Sequence, residues 1–119
     1  MKKTMVIGAT TNPERYAYRA VLSLTKHGHE VVPVGVKTGV VGGIPILQGQ
    51  PNILDIDTIS LYIGPDRQQA YCDYLLGLHP KRIIFNPGTE NPVLAKQAEE
   101  QGIETVEGCT LVILSIGNY

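Results

Sequence analysis

Short apolar runs punctuate the chain, and the first of them, Thr4-Met5-Val6-Ile7, stops at Gly8. An apolar run without polar alternation marks a strand covered on both faces, as in a parallel sheet. After the loop Gly8-Ala9-Thr10-Thr11 the period changes. Asn12 is a good N-cap, Pro13 suits the first helical position, and Glu14 suits the positive end of the helix dipole. Ala17, Ala20, Val21 and Leu24 then recur at the spacing of one buried helical face. Gly28 closes that helix as a left-handed cap. Glu30 to Val34 forms the second strand, with Pro33 marking its end. Strand, glycine loop, helix and strand within about thirty residues make a βαβ unit. The right-handed crossover rule makes its two strands parallel neighbours.

Residues 38–57 hold Gly39, Gly42, Gly43, Pro45, Gly49 and Pro51, which predict a loop with at most a short helical turn. Thr58 to Ile63 is the third strand, stopped by Gly64-Pro65. A helix opens near Asp66, carries Tyr71, Tyr74, Leu75 and Leu78 on one face, and ends before Pro80. Arg82 to Phe85 is the fourth strand. Asn91-Pro92 repeats the earlier helix opening, Leu94, Ala95 and Ala98 face inward, and Gly102 ends the helix. Thr105 to Glu107 is a fifth strand, and the apolar tail Thr110 to Ile116 fits either a strand or a packed helix. The fold class is therefore α/β, with a mostly parallel sheet of about five strands. Without repeats or a linker, residues 1–119 read as a single domain.

Charge and cysteine content narrow the function. Ten basic and eleven acidic residues leave a formal net charge of −1, which excludes a nucleic-acid protein held by a basic field. No stretch approaches the ~20 apolar residues of a membrane span, and Met5 to Ala9 is too short for the core of a signal peptide. Cys72 and Cys109 supply neither a disulfide framework nor a metal-ligand cluster, so a reducing, cytoplasmic setting is expected. Both are read as packing thiols. A mixed disulfide between Cys109 and a thiol ligand is the alternative. His27 and His29 bracket the helix-ending Gly28, where a cation is favoured; with no ligand-spaced partners, no metal is expected.

Chemistry in an open α/β sheet collects beyond the carboxyl ends of the strands. In the first such loop Gly8 permits a tight turn, Thr10, Thr11 and Asn12 offer side-chain donors, and Arg15 adds a positive charge. Amides at the following helix start favour an anion such as a pyrophosphate. A dinucleotide fingerprint would have three glycines where Gly8, Thr10 and Pro13 stand. It would also have an acid where Gly35-Val36-Lys37 follows the second strand. Lys37 suits a phosphate on the ribose, or is a solvated surface charge. The pattern points to a phosphorylated adenosine ligand other than NAD.

Val6-Ile7-Gly8-Ala9-Thr10, Asn12-Pro13-Glu14-Arg15-Tyr16, Gly28-His29-Glu30-Val31-Val32-Pro33-Val34 and Lys37 stand in an order that resembles the small stand-alone CoA-binding proteins. Gly43-Ile44-Pro45-Ile46, Asn86-Pro87-Gly88 and Glu107-Gly108-Cys109 extend the likeness over almost the whole chain. The resemblance implies a Rossmann-like three-layer fold similar to the CoA-binding domain of the succinyl-CoA synthetase alpha subunit. It also implies that Gly8, Ala9, Thr10, Thr11, Asn12 and Arg15 surround the CoA pyrophosphate, with Lys37 near the ADP phosphates. Ile63-Gly64-Pro65 would flank the adenine, and Asn86-Pro87-Gly88 would lie toward the pantetheine. Three positions depart from the common pattern: Gly35-Val36 replaces an Asn-Pro before the lysine, Asn86-Pro87-Gly88 replaces Gln-Xaa-Gly, and Glu107 replaces an Asp.

The expectation is a cytoplasmic domain that binds coenzyme A or an acyl-CoA without catalysis, supplying or sensing it for an unidentified protein partner. One alternative is an NADP- or other nucleotide-binding enzyme or subunit, for which only Cys109, Glu90 and Glu107 offer reactive groups. Another is a homodimeric interaction module with a vestigial nucleotide cleft, joined through the apolar tail Leu111 to Ile116.

Overall fold

The apolar runs form the strands of one sheet. The computed structural model describes residues 1–119. Its first half runs β1 (Thr4–Ile7), α1 (Tyr16–Lys26), β2 (Val31–Val34), a hairpin of β3 (Val40–Val41) and β4 (Ile44–Pro45), and β5 (Thr58–Leu61). There follow α2 (Pro65–Gln68), α3 (Cys72–Gly77), β6 (Arg82–Phe85), α4 (Pro92–Glu100), β7 (Glu104–Glu107) and α5 (Thr110–Ser115). The five-stranded sheet has the order β2-β1-β5-β6-β7 and every pairing in it is parallel. Thr4 pairs with Val31 on one side and Thr58 on the other. The fold is Rossmann-like.

The two faces of the sheet carry separate cores. Met5, Ile7, Ile59, Leu61, Ile83 and Phe85 pack under α3 and α4 through Leu75, Leu76, Leu94 and Ala98. Val6 faces the other way, with Ala17, Val21 and Leu24 of α1 and Leu114 of α5. Each fully covered Leu or Val contributes about 1.5–3 kcal/mol by leaving water. The tail left open by its pattern is thus a helix, because its residues pack against α1 rather than extending the sheet. Only Val112 and Ile116 of its large apolar residues remain exposed.

Pro33 lies inside β2, not at its end. β2 is an edge strand, and the Pro33 carbonyl points outward to accept the Leu47 N–H at 2.9 Å. The missing N–H of Pro33 belongs to that same outward side, so the pairing with β1 loses nothing.

Three expected elements take a different form. The loop over 38–57 contains a hairpin whose turn residues, Gly42 and Gly43, both have positive φ (56° and 81°), as a type I′ turn requires. Helix α1 begins at Tyr16, so Asn12 is not its cap. The Asn12 side chain instead accepts the Glu14 N–H at 3.0 Å, closing a local turn that holds Pro13 and Glu14 outside the helix. The single helix expected from Asp66 is broken into α2 and α3 by Gln68. That side chain is fully buried; its Nε2 donates to the carbonyls of Ile63 (2.8 Å) and Thr89 (2.7 Å), and its Oε1 accepts from Asn91 Nδ2 (2.9 Å). Boundaries shift slightly elsewhere, the third strand ending at Leu61 and the fifth beginning at Glu104.

The amino ends of the strands are closed. Arg82 is buried there, its Nε donating to Thr58 Oγ1 (3.1 Å) and its guanidinium 4.4 Å from the Tyr119 ring centre. The carboxyl ends stay open.

Gln68→Leu leaves the buried carbonyls of Ile63 and Thr89 without partners, and each such group costs about 1–3 kcal/mol. Urea unfolding is expected to show a loss of at least that size. An unchanged midpoint would mean that the latch does not hold the two loops.

Candidate functional site

The strand order reverses between β1 and β5, since the chain leaves β1 toward β2 on one side and later returns to β5 on the other. Loops diverge at such a point and open a crevice. Here it holds a cavity of about 500 Å³ walled by the loops that follow β1, β2, β5 and β6.

The β1 loop forms the centre. Gly8 has φ +99°, and its N–H and that of Ala9 both donate to the Val34 carbonyl at 2.9 Å, tying this loop to β2. Gly8, Ala9, Thr10, Thr11 and Arg15 all line the cavity, while Asn12 is exposed outside it. The amides of Thr10, Thr11, Tyr16 and Ala17 have no partner within the protein. They are the free donors that a helix start and its approach offer to an anion.

Lys37 lines the wall beyond β2, with Val36 and Thr38. Its loop presses so closely on the first that a Cβ on Gly35 would collide with the Ala9 carbonyl oxygen. Any larger residue at position 35 would push the two loops apart.

Beyond β5, Tyr62 and Ile63 line the cavity, but Gly64 and Pro65 do not. They start α2, which brings Arg67 to the wall, with Tyr71 four residues on. Burial pushes the Tyr62 hydroxyl up to about 12; Ser60 and Thr110 lie near enough to moderate that shift without sitting in hydrogen-bonding geometry. The phenol is therefore neutral at physiological pH.

Beyond β6 only Pro87 reaches the cavity. The Asn86 side chain turns inward, donating to Ser60 Oγ (2.9 Å) and the Leu61 carbonyl (2.8 Å) and accepting the Thr110 N–H (2.8 Å). The Gly88 N–H donates to Glu90 Oε1 at 3.0 Å, outside the lining.

Among the lining residues Arg15, Lys37 and Arg67 carry positive charge, and there is no Asp, Glu, His or Cys. The ion pair within 4 Å that the molecule does form, Lys3 with Glu30 at 3.8 Å, lies elsewhere. Three unpaired cations around one cavity give a chain of net charge −1 a locally positive crevice. Such a site suits a ligand with more than one anionic group.

The sequence reading missed Tyr16, Tyr62, Arg67 and Tyr71. The signal for Arg67 and Tyr71 was their i, i+4 spacing just after Gly64-Pro65, which sets two side chains on one side of the segment.

The family profile described as CoA binding domain matches residues 2–115. The chain belongs to the CoA binding domain family. An uncharacterized protein known from a crystal structure is 52% identical to this CoA binding domain, with a TM-score of 0.97 over 100% of this chain and 98% of that one. A hypothetical protein from Pyrococcus horikoshii OT3 is 29% identical, with a TM-score of 0.81 over 93% of this chain and 80% of that one. The dinucleotide-forming acetyl-coenzyme A synthetase 1 of Ca. Korarchaeum cryptofilum, solved with phosphate and ADP, shares the fold at 14% identity. Its TM-score is 0.69, over 89% of this chain and 25% of that one. No curated protein matches the chain.

The remaining candidates lie off the cavity. Cys109 is half-buried before α5, and Cys72 Sγ lies 3.3 Å from the Gln68 carbonyl, its thiol pushed up by burial. No group of three His, Cys, Asp or Glu side chains comes together to hold a metal ion, and no helix is long and apolar enough to cross a membrane.

Gly35→Ala is expected to lower the unfolding free energy by about 1–3 kcal/mol, as overpacking does. Gly77→Ala, where nothing lies within 4 Å of the added methyl, is expected to lose none. Equal stabilities in urea would contradict the contact between the two loops.

Proposed function

We propose that the chain binds coenzyme A or an acyl-CoA as one domain spanning residues 1–119 and does not turn it over. The observation that carries this reading is the acid-free cavity with Arg15, Lys37 and Arg67 around it, at the strand-order reversal of a CoA binding domain. In this reading the pyrophosphate rests on the free amides of Thr10, Thr11, Tyr16 and Ala17 and on the Arg15 guanidinium. Lys37 meets the phosphate on the ribose. Ile63, with Gly64 and Pro65 behind it, flanks the adenine, and the pantetheine leaves past Pro87.

Binding without catalysis is favoured by the lining itself. A general base or nucleophile needs a group that gives up its proton near neutral pH. The lining holds no Asp, Glu, His or Cys, burial pushes the Tyr62 hydroxyl up to about 12, and Cys109, Glu90 and Glu107 stand outside. Two unpaired cysteines suit a reducing, cytoplasmic setting.

Thermal unfolding with CoA, acetyl-CoA, 3′-dephospho-CoA, NAD and NADP tests the proposal. A ligand at ~100 times its dissociation constant adds about 2.7 kcal/mol. CoA and acetyl-CoA are expected to stabilise most, and Lys37→Ala to narrow the gap between CoA and its dephospho form. No shift with any CoA species would sink the reading; a larger shift with NADP would replace it with the dinucleotide one.

A further inference from the structure

We infer that Arg67 is a second reader of the ribose phosphate, reaching it from the loop after β5 while Lys37 reaches it from the loop after β2, so that the site selects 3′-phosphorylated adenosine ligands through two cations. The inference rests on the CoA reading above and names the residue that sets its nucleotide specificity. Lys37 follows β2 and Arg67 follows β5, with β1 between them. Their side chains reach one cavity from two different loops, so a single ligand with several phosphates meets both. Both side chains are exposed, both line the same cavity, and neither has a carboxylate partner within 4 Å. The acids nearest Arg67 in sequence, Asp66 and Asp73, are exposed and outside the lining.

The backbone beneath Arg67 is fixed. Its neighbour Gln68 is fully buried and bonded to the loops after β5 and β6, so the start of the Arg67 side chain is held before any ligand arrives. Pre-organisation of this kind reduces the ordering cost of binding. Arginine also presents a planar fork that pairs two phosphate oxygens at once, whereas the lysine acts as a point charge. The two cations are therefore complementary in form.

The test measures dissociation constants by calorimetry for CoA, 3′-dephospho-CoA, adenosine 3′,5′-bisphosphate and ADP. The proteins are the unaltered chain, Lys37→Ala, Arg67→Gln, Arg67→Lys and the double variant Lys37→Ala/Arg67→Gln. The informative quantity is the ratio of affinities with and without the 3′-phosphate. Each single removal is expected to lower it about tenfold, the double variant to bring it near one, and Arg67→Lys to fall between. A change in general stability would move numerator and denominator together and leave this ratio alone. Arg67→Gln with an unchanged ratio would overturn the inference, as would equal weakening of CoA and 3′-dephospho-CoA, which would assign Arg67 to the pyrophosphate or the base. If the unaltered chain binds none of the four, the CoA reading itself fails, and this inference with it.

Discussion

The reversal of strand order beside β1 is the constraint from which the rest of the structure follows. β1 is covered on both faces and paired on both edges, so its chain can leave only at its ends. One crossover takes it to β2, and the next must pass back over β1 to reach β5. The loops beyond β1 and β5 then lead to helices on opposite faces of the sheet, and the crevice lies where they part. The amino ends have no such requirement and are closed by Arg82 and Tyr119.

Around that crevice the protein resolves a conflict between packing and charge. Loops that press together exclude water, as Gly35 against Ala9 does, yet three cations remain exposed without acids to neutralise them. Their mutual repulsion is tolerable because each stays solvated at the rim. Beneath the rim, polarity is handled in the opposite way. Ser60, Asn86 and Thr110 are buried and bond one another at 2.8–2.9 Å, a paired network that leaves only the neighbouring Tyr62 hydroxyl without a partner. Rigidity below and unpaired charge above are what a binding site for an anion needs.

Two Asn-Pro dipeptides show how far local signals reach. Asn91 caps α4, its side chain accepting the Leu94 N–H at 3.1 Å, as the sequence pattern predicts. Asn12 carries the same signal and closes a turn before the helix instead. Both asparagines accept a backbone N–H; the difference is whether the next residues coil at once, as after Asn91, or only after a further turn, as after Asn12. The Asp66 to Leu78 segment is similar. Its apolar spacing is helical, but burial of the Gln68 amide between two loops imposes a break that no periodicity reports. The polar residues of β5, Thr58 and Ser60, alternate with Ile59 and Leu61 and are fully buried because α5 and Arg82 lie over them.

By itself the sequence determined the alternating elements, the parallel sheet and the end of it where a ligand would lie. These depend on apolar runs, glycine stops and the crossover rule, all of which act over about thirty residues or fewer. The candidate loop from Gly8 to Arg15 was legible for the same reason. Only the tertiary structure decided which side chains meet around the cavity. It turned Asn86 inward, left Asn12 outside, and brought Arg67 to the cavity that Lys37 also lines. Those placements depend on strand order and on contacts between different loops, Asn86 meeting partners 24–26 positions away. No local pattern of residues encodes a distance of that kind.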